Sequence, residues 1–197
     1  NNVLIISDEI HSDIIFSGHK HIPISSLSKE IEQITITCMA PSKTFSLAGL
    51  STSIIIIPNK EIRDKFNNML NKNDVSTNLL GKVALEAAYK YGEEYVEQIC
   101  EYLEKNRDYV INFFNNIPQI KPVKIEGTYL LWLNCEGLGL EGEELKEFFI
   151  NAGVGLNPGF RFGKVGNSFM RLNIGCPRAI LEKGLEKIKI AVERRDK

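Results

Sequence analysis

Short apolar runs rich in β-branched residues recur in the first part of the chain and predict buried strands. They cover residues 3–6, 33–38 and 52–57, and polar or turn-forming residues follow each run. Continuous apolar runs of this length are typical of strands covered on both faces in a parallel sheet. Strands of a sheet with one solvent-exposed face instead show strict alternation of apolar and polar residues. This part of the chain therefore predicts strands of an α/β sheet.

Helical periodicity dominates the middle of the chain. Between residues 59 and 71, charged residues alternate with apolar residues at helical spacing, and Asn59 is a suitable N-cap. The pattern resumes at Leu79 and runs, with one interruption at Gly92, to a stop near Pro118. We expect one amphipathic helix followed by two nearly continuous helices.

The C-terminal part of the chain has a different sequence pattern, which predicts intermixed strands and helices. The elements predicted here are three strands and two helices, at 121–125, 128–133, 169–174, about 142–152, and from Pro177 onward. This change in the pattern of predicted elements indicates a domain boundary between Asn71 and Pro118.

Composition and charge exclude two classes of partner. The chain has 197 residues, of which 43% are hydrophobic, so it can build a core. Its 24 basic and 25 acidic residues are mixed along the chain, whereas proteins that bind nucleic acid or anionic lipid carry a basic patch. The longest apolar stretch, 54–58, is far shorter than the ~20 residues that cross a bilayer. We expect neither nucleic acid nor membrane as a partner.

The cysteines indicate a reducing compartment. No pair of them has the short spacing of a zinc knuckle or a redox motif, and they lie at Cys38, Cys100, Cys135 and Cys176. Scattered thiols are typical of cytoplasmic proteins, in which disulfides are rare. We therefore expect a cytoplasmic protein without a bound metal.

Two polar segments follow predicted strands and carry the residue types of a catalytic site. SDEIH (7–11) follows the first strand, and APSKTFSLAGL (40–50) follows the second. Ligands of open α/β sheets bind beyond the carboxyl ends of strands, so Asp8 and Lys43 can share one pocket. A desolvated lysine is an amine nucleophile that reacts with carbonyl groups. A carboxylate and a lysine placed in this way suit pyridoxal phosphate (PLP).

These residues also have other interpretations. Lys43 alone is consistent with a solvated loop cation, and Asp8 with a helix or turn cap. The letters DEIH match the DExH box of nucleic-acid-dependent ATPases, although the chain has no phosphate loop of the GxxxxGK(S/T) kind. A metal cluster is a further alternative with no recognised ligand spacing, and its members would be Asp8, His11, Asp13, His19 and His21.

Arg171 lies in the apolar segment FMRLNIGCPR (169–178), where an unpaired guanidinium is costly. It therefore needs a carboxylate, supplied either by an internal acidic residue or by a bound substrate. A planar guanidinium suits the α-carboxylate of an amino acid because it donates two parallel hydrogen bonds. The preceding stretch 157–166 is either a mobile active-site loop or a series of plain turns, and its glycines favour turns.

Several segments, taken in order, resemble the fold-type I PLP enzymes of aminotransferase class I and II. They are SDEIHSD (7–13), APSKTFSLAGL (40–50), EGTYLLWL (126–133), NPGFRFG (157–163) and FMRLNIGCPR (169–178). The likeness is strongest to the cystathionine β-lyase branch, which includes the MalY and PatB type proteins. Separated segments in one order, from about Val3 to the C-terminus, are far more specific than a single glycine motif.

The resemblance implies roles for particular residues. Lys43 would hold PLP covalently, Asp8 would pair with the protonated pyridine nitrogen, and His11 would lie near the 3-oxygen. Ser42 would lie near the phosphate, and Arg171 would bind the α-carboxylate of the substrate. Once displaced from PLP, the Lys43 amine would act as general base on the Cα proton.

Two positions depart from the family pattern. Ala40 and Ser51 stand where many relatives have a serine and an arginine that bind the phosphate. The phosphate and the ring would then rest mainly on groups from an upstream half. The chain opens with Asn1 and Asn2 and has no initiator Met, which indicates a preceding segment. We expect this chain to be the C-terminal half of a longer enzyme, inactive by itself.

The resemblance also implies the fold and the reaction. The fold class would be α/β, with the end of a large-domain, mostly parallel sheet followed by a smaller α+β domain. Residues 1–75 would belong to the large PLP-binding domain, 76–117 would form connecting helices, and 118–197 would form the small domain. The reaction would be β-lysis of cystathionine or a related cysteine conjugate to a thiol, pyruvate and ammonia, with transamination as the alternative. The enzyme would be a homodimer that acts on a small amino acid.

Overall fold

The computed structural model describes residues 3–195. Four residues lie outside the described part of the chain: Asn1, Asn2, Asp196 and Lys197. The expectation of a preceding segment, which was drawn from Asn1 and Asn2, therefore also lies outside the described residues. The chain divides into two compact units, residues 1–100 and 101–197. The dividing point falls inside the stretch 76–117 that the sequence predicts as connecting helices. The predicted boundaries at 75 and 117 stay predictions.

The first unit contains a three-stranded sheet with the order β1, β2, β3. Strand β1 (Ile5–Asp8) pairs in parallel with β2 (Thr35–Met39), and β2 pairs antiparallel with β3 (Ile54–Ile56). The helices of this part of the chain are α1 (Lys29–Ile34), α2 (Pro41–Thr44), α3 (Lys60–Lys72), α4 (Leu79–Tyr91) and α5 (Glu93–Phe114), of which α5 continues into the second unit. The predicted α/β class is confirmed.

The predicted second strand begins later than expected. Gln33 and Ile34 end helix α1, and the strand starts only at Thr35. The helix begins after Ser28, whose Oγ accepts a hydrogen bond from the Ile31 amide (3.2 Å). This N-cap satisfies an amide that would otherwise lack a partner, and the six-residue helix that it starts includes the first two residues of the predicted strand.

Strand β1 is less covered than its apolar sequence predicts. It lies at the edge of the described sheet, and the side chains of Leu4 and Ile6 are 53% and 71% exposed. Exposed apolar edge strands are aggregation sites in isolated proteins. The expectation of a strand covered on both faces is therefore not met within residues 3–195.

The second unit contains a four-stranded antiparallel sheet with the order β4, β5, β7, β6. Its elements after α5 are β4 (Lys121–Pro122), β5 (Leu130–Asn134), α6 (Gly142–Asn151), β6 (Asn157–Pro158), β7 (Phe169–Asn173) and α7 (Arg178–Arg195). The strands and helices predicted from residue 121 onward are present, although β4 is shorter than predicted. The short strand β6 was not predicted.

Side-chain alternation along β5 and β7 separates a buried face from an open face. Leu131, Leu133 and Met170 are at most 1% exposed, whereas Trp132 and Arg171 on the other face are half-buried. The helices of this unit add their own buried side chains, which include Leu103, Val110, Leu145, Phe149, Leu181, Leu185 and Ile188. Each such side chain contributes about 1.5–3 kcal/mol when it leaves water. This core fixes the sheet that carries Arg171.

Candidate active site

The carboxyl ends of β1 and β2 lie at one edge of the first unit's sheet, because these two strands run parallel. Asp8 is the last residue of β1, lies opposite Cys38 of β2, and is exposed. Lys43 is half-buried in α2, the single helical turn that follows β2. The two residues therefore leave the sheet at the same edge.

The charge of Asp8 affects the Cys38 thiol near the end of β2. Burial raises the pKa of the Cys38 thiol, and the negative charge of Asp8 raises it further. The Asp8 carboxylate thus acts electrostatically on β2, the strand that precedes α2. We call α2, which carries Lys43, the lysine turn.

Helix α2 is fixed by a proline and by short backbone bonds. Pro41 occupies the start of the helix, where its rigid φ is suitable and its missing N–H costs nothing. The Lys43 amide donates to the Ala40 carbonyl (2.9 Å), and the Phe45 amide donates to the Pro41 carbonyl (2.8 Å). These bonds hold the backbone of Lys43 in one conformation.

His11 and Ser42 lie in the two turns that follow β1 and β2. His11 is half-buried, and its carbonyl accepts a hydrogen bond from the Ile14 amide (3.1 Å). Ser42 is half-buried beside Lys43, and its carbonyl accepts a hydrogen bond from the Leu47 amide (3.1 Å). Both residues therefore belong to the strand-end edge that carries Asp8 and Lys43.

Aromatic rings pack the end of the lysine turn against α4 and α5. The Phe45 ring meets the Tyr89 ring edge-on at 5.5 Å between centroids and the Tyr95 ring at 6.0 Å. A Cβ placed on Gly92, between the two helices, would come within 2.5 Å of the Phe45 ring. Glycine at this position therefore allows Phe45 to pack, which explains the break in the helical pattern.

Asp13, which the sequence suggested only as a metal ligand, contacts the residue next to Lys43. Its Oδ2 accepts hydrogen bonds from Thr44 Oγ1 (2.7 Å) and from the Tyr89 hydroxyl (3.1 Å). Residues 3–195 contain no group of three or more acidic, histidine or cysteine side chains that could hold a metal ion. No sequence signal pointed to the Asp13–Thr44 bond, because the partners are 31 residues apart.

Glu9 lies on the opposite side of the strand end from Asp8 and faces the interior. It accepts hydrogen bonds from Ser7 Oγ (2.8 Å) and the Ile24 amide (3.1 Å), and it lies 2.8 Å from His21 Nε2. Burial opposes ionisation, but these bonds and the charge of His21 outweigh it and keep the pKa of Glu9 below its ordinary value. The two acids of the DExH alternative therefore do not face one site.

Arg171 lies on the open face of the second unit's sheet. Its cross-strand neighbours are Trp132 on β5 and Asn157 on β6. The Arg171 Nη2 donates to Asn157 Oδ1 (3.2 Å), and the guanidinium lies over the Phe162 ring at 4.6 Å from its centroid. Phe162 in turn meets Trp132 edge-on at 5.3 Å. The guanidinium is thus fixed along one edge and on one face.

The internal salt bridge considered for Arg171 is not found within residues 3–195, where no acidic side chain pairs with it. Its Nε is buried and has no hydrogen-bond partner in the same part of the chain. A buried donor without an acceptor is costly, and native structures rarely leave one.

The segment 157–166 holds Phe162 beside Arg171 through two 3-10 turns, Gly159–Phe162 and Lys164–Gly166. The backbones of Gly159 and Gly166 pack directly on each other. A Cβ on Gly159 would overlap the Gly166 carbonyl oxygen and would lie 2.7 Å from the carbonyl oxygen of Phe169. This segment is a pair of closed turns whose crossing point admits no side chain.

Replacing Gly159 with alanine is therefore expected to destabilise the protein. The added methyl group meets backbone atoms that cannot rotate away, so we expect the free energy of unfolding to fall by about 1–3 kcal/mol. Gly155→Ala is the matched control, because nothing lies within 4 Å of its added Cβ. Urea unfolding would measure both variants, and equal midpoints would contradict the close packing at Gly159.

No helix in the described part of the chain combines the length and apolar character needed to span a membrane.

The family of the chain follows from its sequence. Residues 1–188 match the family described as Aminotransferase class I and II, and the chain belongs to this family. Cystathionine beta-lyase PatB of Bacillus subtilis (strain 168) is 42% identical over 98% of this chain and 50% of PatB. Protein MalY of Escherichia coli (strain K12) is 33% identical over 94% of this chain and 48% of MalY.

Other comparisons extend the same picture. An aspartate aminotransferase of Pyrococcus horikoshii is 26% identical over 98% of this chain and 49% of that protein. The crystal structure of cystalysin from Treponema denticola, which contains pyridoxal 5'-phosphate, matches 98% of this chain and 50% of its own with a TM-score of 0.94 and 34% identity. The predicted resemblance is confirmed, and the chain spans about half the length of the relatives it matches.

Proposed function

We propose that the whole protein is a PLP-dependent carbon-sulfur β-lyase that acts on cystathionine or a related cysteine conjugate. The observation that carries the proposal is the placement of Asp8 and Lys43 at the carboxyl ends of adjacent parallel strands. The relatives support it, since PatB is named a cystathionine β-lyase and cystalysin contains PLP. The products would be a thiol, pyruvate and ammonia.

The side chains at this sheet edge fit PLP. Lys43 offers a half-buried amine for the aldehyde carbon, and Asp8 offers a carboxylate for the protonated ring nitrogen. Within residues 3–195 neither side chain forms an ion pair. His11 would lie near the 3-oxygen and Ser42 near the phosphate. PLP, when bound, supplies the electron sink for the electron pair that remains when Cα loses its proton.

The residues of this chain would share the work of the reaction. The Lys43 amine would take the Cα proton of the bound amino acid as general base. Asp8 would hold the proton on the ring nitrogen through a hydrogen bond to its carboxylate. The substrate would lose its Cβ–S bond with the electrons on sulfur, which would take a proton and leave as the thiol. Water would supply the oxygen of pyruvate, and the substrate nitrogen would leave as ammonia.

Arg171 would bind the α-carboxylate of the substrate. Its guanidinium is held by Asn157 and Phe162, and its Nε has no acceptor within the described residues. A guanidinium that is fixed in advance loses less conformational entropy when it binds a planar carboxylate with two hydrogen bonds.

Replacing Arg171 with lysine is expected to raise KM for the amino acid substrate about tenfold to a hundredfold, because hydrogen bonds to charged groups contribute ~1.5–3 kcal/mol. Lysine keeps the charge but loses the planar, paired donors, so kcat should change less than KM. Arg161→Lys, at an exposed position in the neighbouring turn, is the matched control. Steady-state kinetics would measure both variants, and an unchanged KM for Arg171→Lys would contradict the assignment.

The choice between lysis and transamination depends on product analysis. The lyase is favoured because PatB, at 42% identity, carries a lyase name, whereas the aspartate aminotransferase is 26% identical. The whole protein with PLP and cystathionine should release pyruvate, followed with a coupled dehydrogenase. Exchange of the amino group with a keto acid, without net pyruvate, would reject the lyase and establish the aminotransferase.

We also propose that the whole protein is a cytoplasmic homodimer and that the 197 residues alone are inactive. The thiols of Cys38, Cys135 and Cys176 are not in disulfides, which is typical of a reducing compartment.

The exposed side chains of Leu4 and Ile6 support the inactivity of the 197 residues alone, because they indicate that other parts of the whole protein cover strand β1. Light scattering of the whole protein tests the dimer. Turnover by the 197 residues alone would contradict the second proposal.

A further inference from the structure

Asp13 receives two hydrogen bonds at one carboxylate oxygen. Thr44 Oγ1 donates to Asp13 Oδ2 over 2.7 Å, and the Tyr89 hydroxyl donates to the same oxygen over 3.1 Å. Thr44 is only 2% exposed, so its hydroxyl depends on this bond for a partner. A bond to a charged acceptor from a buried hydroxyl is stronger than an ordinary neutral one.

These bonds join segments that are distant in sequence. Asp13 lies with His11 in the turn after β1, whose last residue is Asp8, and Thr44 directly follows Lys43 in α2. The Thr44 bond spans 31 residues, and the Tyr89 bond spans 76. Asp13 is therefore the point at which the turns after the two parallel strands are tied to each other and to α4.

The electrostatics keep Tyr89 as a hydrogen-bond donor to Asp13. Burial raises the pKa of Tyr89 to about 12, and the charge of Asp13 and its hydrogen bond contribute to the increase. Tyr89 thus keeps its proton and remains a donor at neutral pH. The carboxylate has two hydroxyl donors and no cation paired with it within residues 3–195.

We propose that Asp13 is a positioning residue for Lys43. By holding Thr44, it would fix helix α2 against the turn that follows Asp8 and carries His11. The Lys43 amine and the Asp8 carboxylate would then both be positioned to contact one PLP molecule. This inference rests on the proposed function, because it assigns Asp13 a role only if Lys43 is the residue that binds PLP.

The test uses the whole protein and variants that remove or keep the bond. Asp13→Ala removes the acceptor, Thr44→Val removes the donor at nearly constant shape, and Thr44→Ser keeps the hydroxyl. Asp64→Asn, on exposed helix α3, is the matched control for loss of an aspartate charge. Each PLP-free protein is mixed with PLP, and the lysine adduct is trapped with borohydride and located by mass spectrometry. The rate of adduct formation, PLP affinity and the thermal midpoint of the PLP-free protein are measured.

Asp13→Ala and Thr44→Val are expected to weaken PLP affinity and to slow adduct formation at Lys43 by about tenfold or more, since each breaks the bond that joins the turn after β1 to α2. Thr44→Ser and Asp64→Asn should stay close to the parent protein. The double variant should be no worse than the more affected single variant, because both remove the same bond. Rescue by serine distinguishes positioning from a general loss of packing.

Two results would overturn the inference. One is unchanged adduct formation in folded Thr44→Val. The other is a lowered thermal midpoint with unchanged affinity and rate, which would make Asp13 a structural link only. Failure of the proposed function looks different, because the parent protein would then form no adduct at Lys43, or Lys43→Ala would still form the normal one. If Asp13→Ala does not fold, the Thr44 pair gives the answer.

Discussion

Alanine in place of Lys43 in the whole protein is expected to abolish the covalent attachment of PLP and to remove turnover almost completely. The amine is both the group that bonds the cofactor and the general base, and a general base alone contributes about 10²–10⁴-fold to rate. PLP could still bind, but only reversibly, and dialysis would remove it. Absorbance of the bound cofactor, borohydride trapping and the pyruvate assay would measure these three losses.

The control for this prediction is Lys72→Ala, which removes an exposed lysine at the end of helix α3. It should leave the adduct, its location and turnover unchanged. A stable lysine adduct of normal spectrum in Lys43→Ala would contradict both the assignment of Lys43 and the proposed function.

Replacing Asp8 with asparagine is expected to separate cofactor attachment from catalysis. Asparagine has nearly the same shape but no charge, so Lys43 should still form its adduct with PLP. The ring nitrogen would lose the carboxylate that keeps it protonated, and turnover should fall by about 10²–10³-fold, the scale found when a preorganised electrostatic partner is removed. Trapping and pyruvate release, measured on the same preparation, would show whether the two effects separate.

A second measurement tests Asp8 without PLP. Because the charge of Asp8 helps to raise the pKa of the Cys38 thiol, Asp8→Asn should lower that pKa and increase the rate of Cys38 alkylation at a given pH. Peptide mapping would follow Cys38 separately from the other cysteines. Asp8→Glu, which keeps the charge, should leave alkylation slow. Equal turnover in Asp8→Asn and the parent protein would remove Asp8 from the proposed mechanism.

The parts of the fold that sequence reasoning predicted are those with long, regular periodicity. Helices α4 and α5 were expected as two nearly continuous helices, because apolar side chains recur at helical spacing on both sides of Gly92. The N-cap at Asn59 was also expected, and its Oδ1 accepts hydrogen bonds from the Glu61 and Ile62 amides. Helix α1 was missed, since a single short helix has too few turns to show a period.

The candidate site was predictable where it depends on strand ends, and unpredictable where it depends on register. Asp8 and Lys43 follow apolar runs, so their place at a sheet edge could be expected from sequence. Asn157 meets Arg171 only because β6 pairs with β7 in one register, and Phe162 reaches the guanidinium only through the turns that follow. Long-range pairing of this kind leaves no local pattern in a single sequence.

The sorting of Asp8 outward and Glu9 inward sets a constraint on engineering. Side chains along a strand alternate with a period of two, so an inserted or deleted residue ahead of Ser7 would exchange the two sides. Ser7 and Glu9 would then both face outward, so His21 and the Ile24 amide would lose the Glu9 carboxylate, and the Asp8 carboxylate would face the interior. Mutant libraries directed at this strand should vary its side chains and keep its length constant.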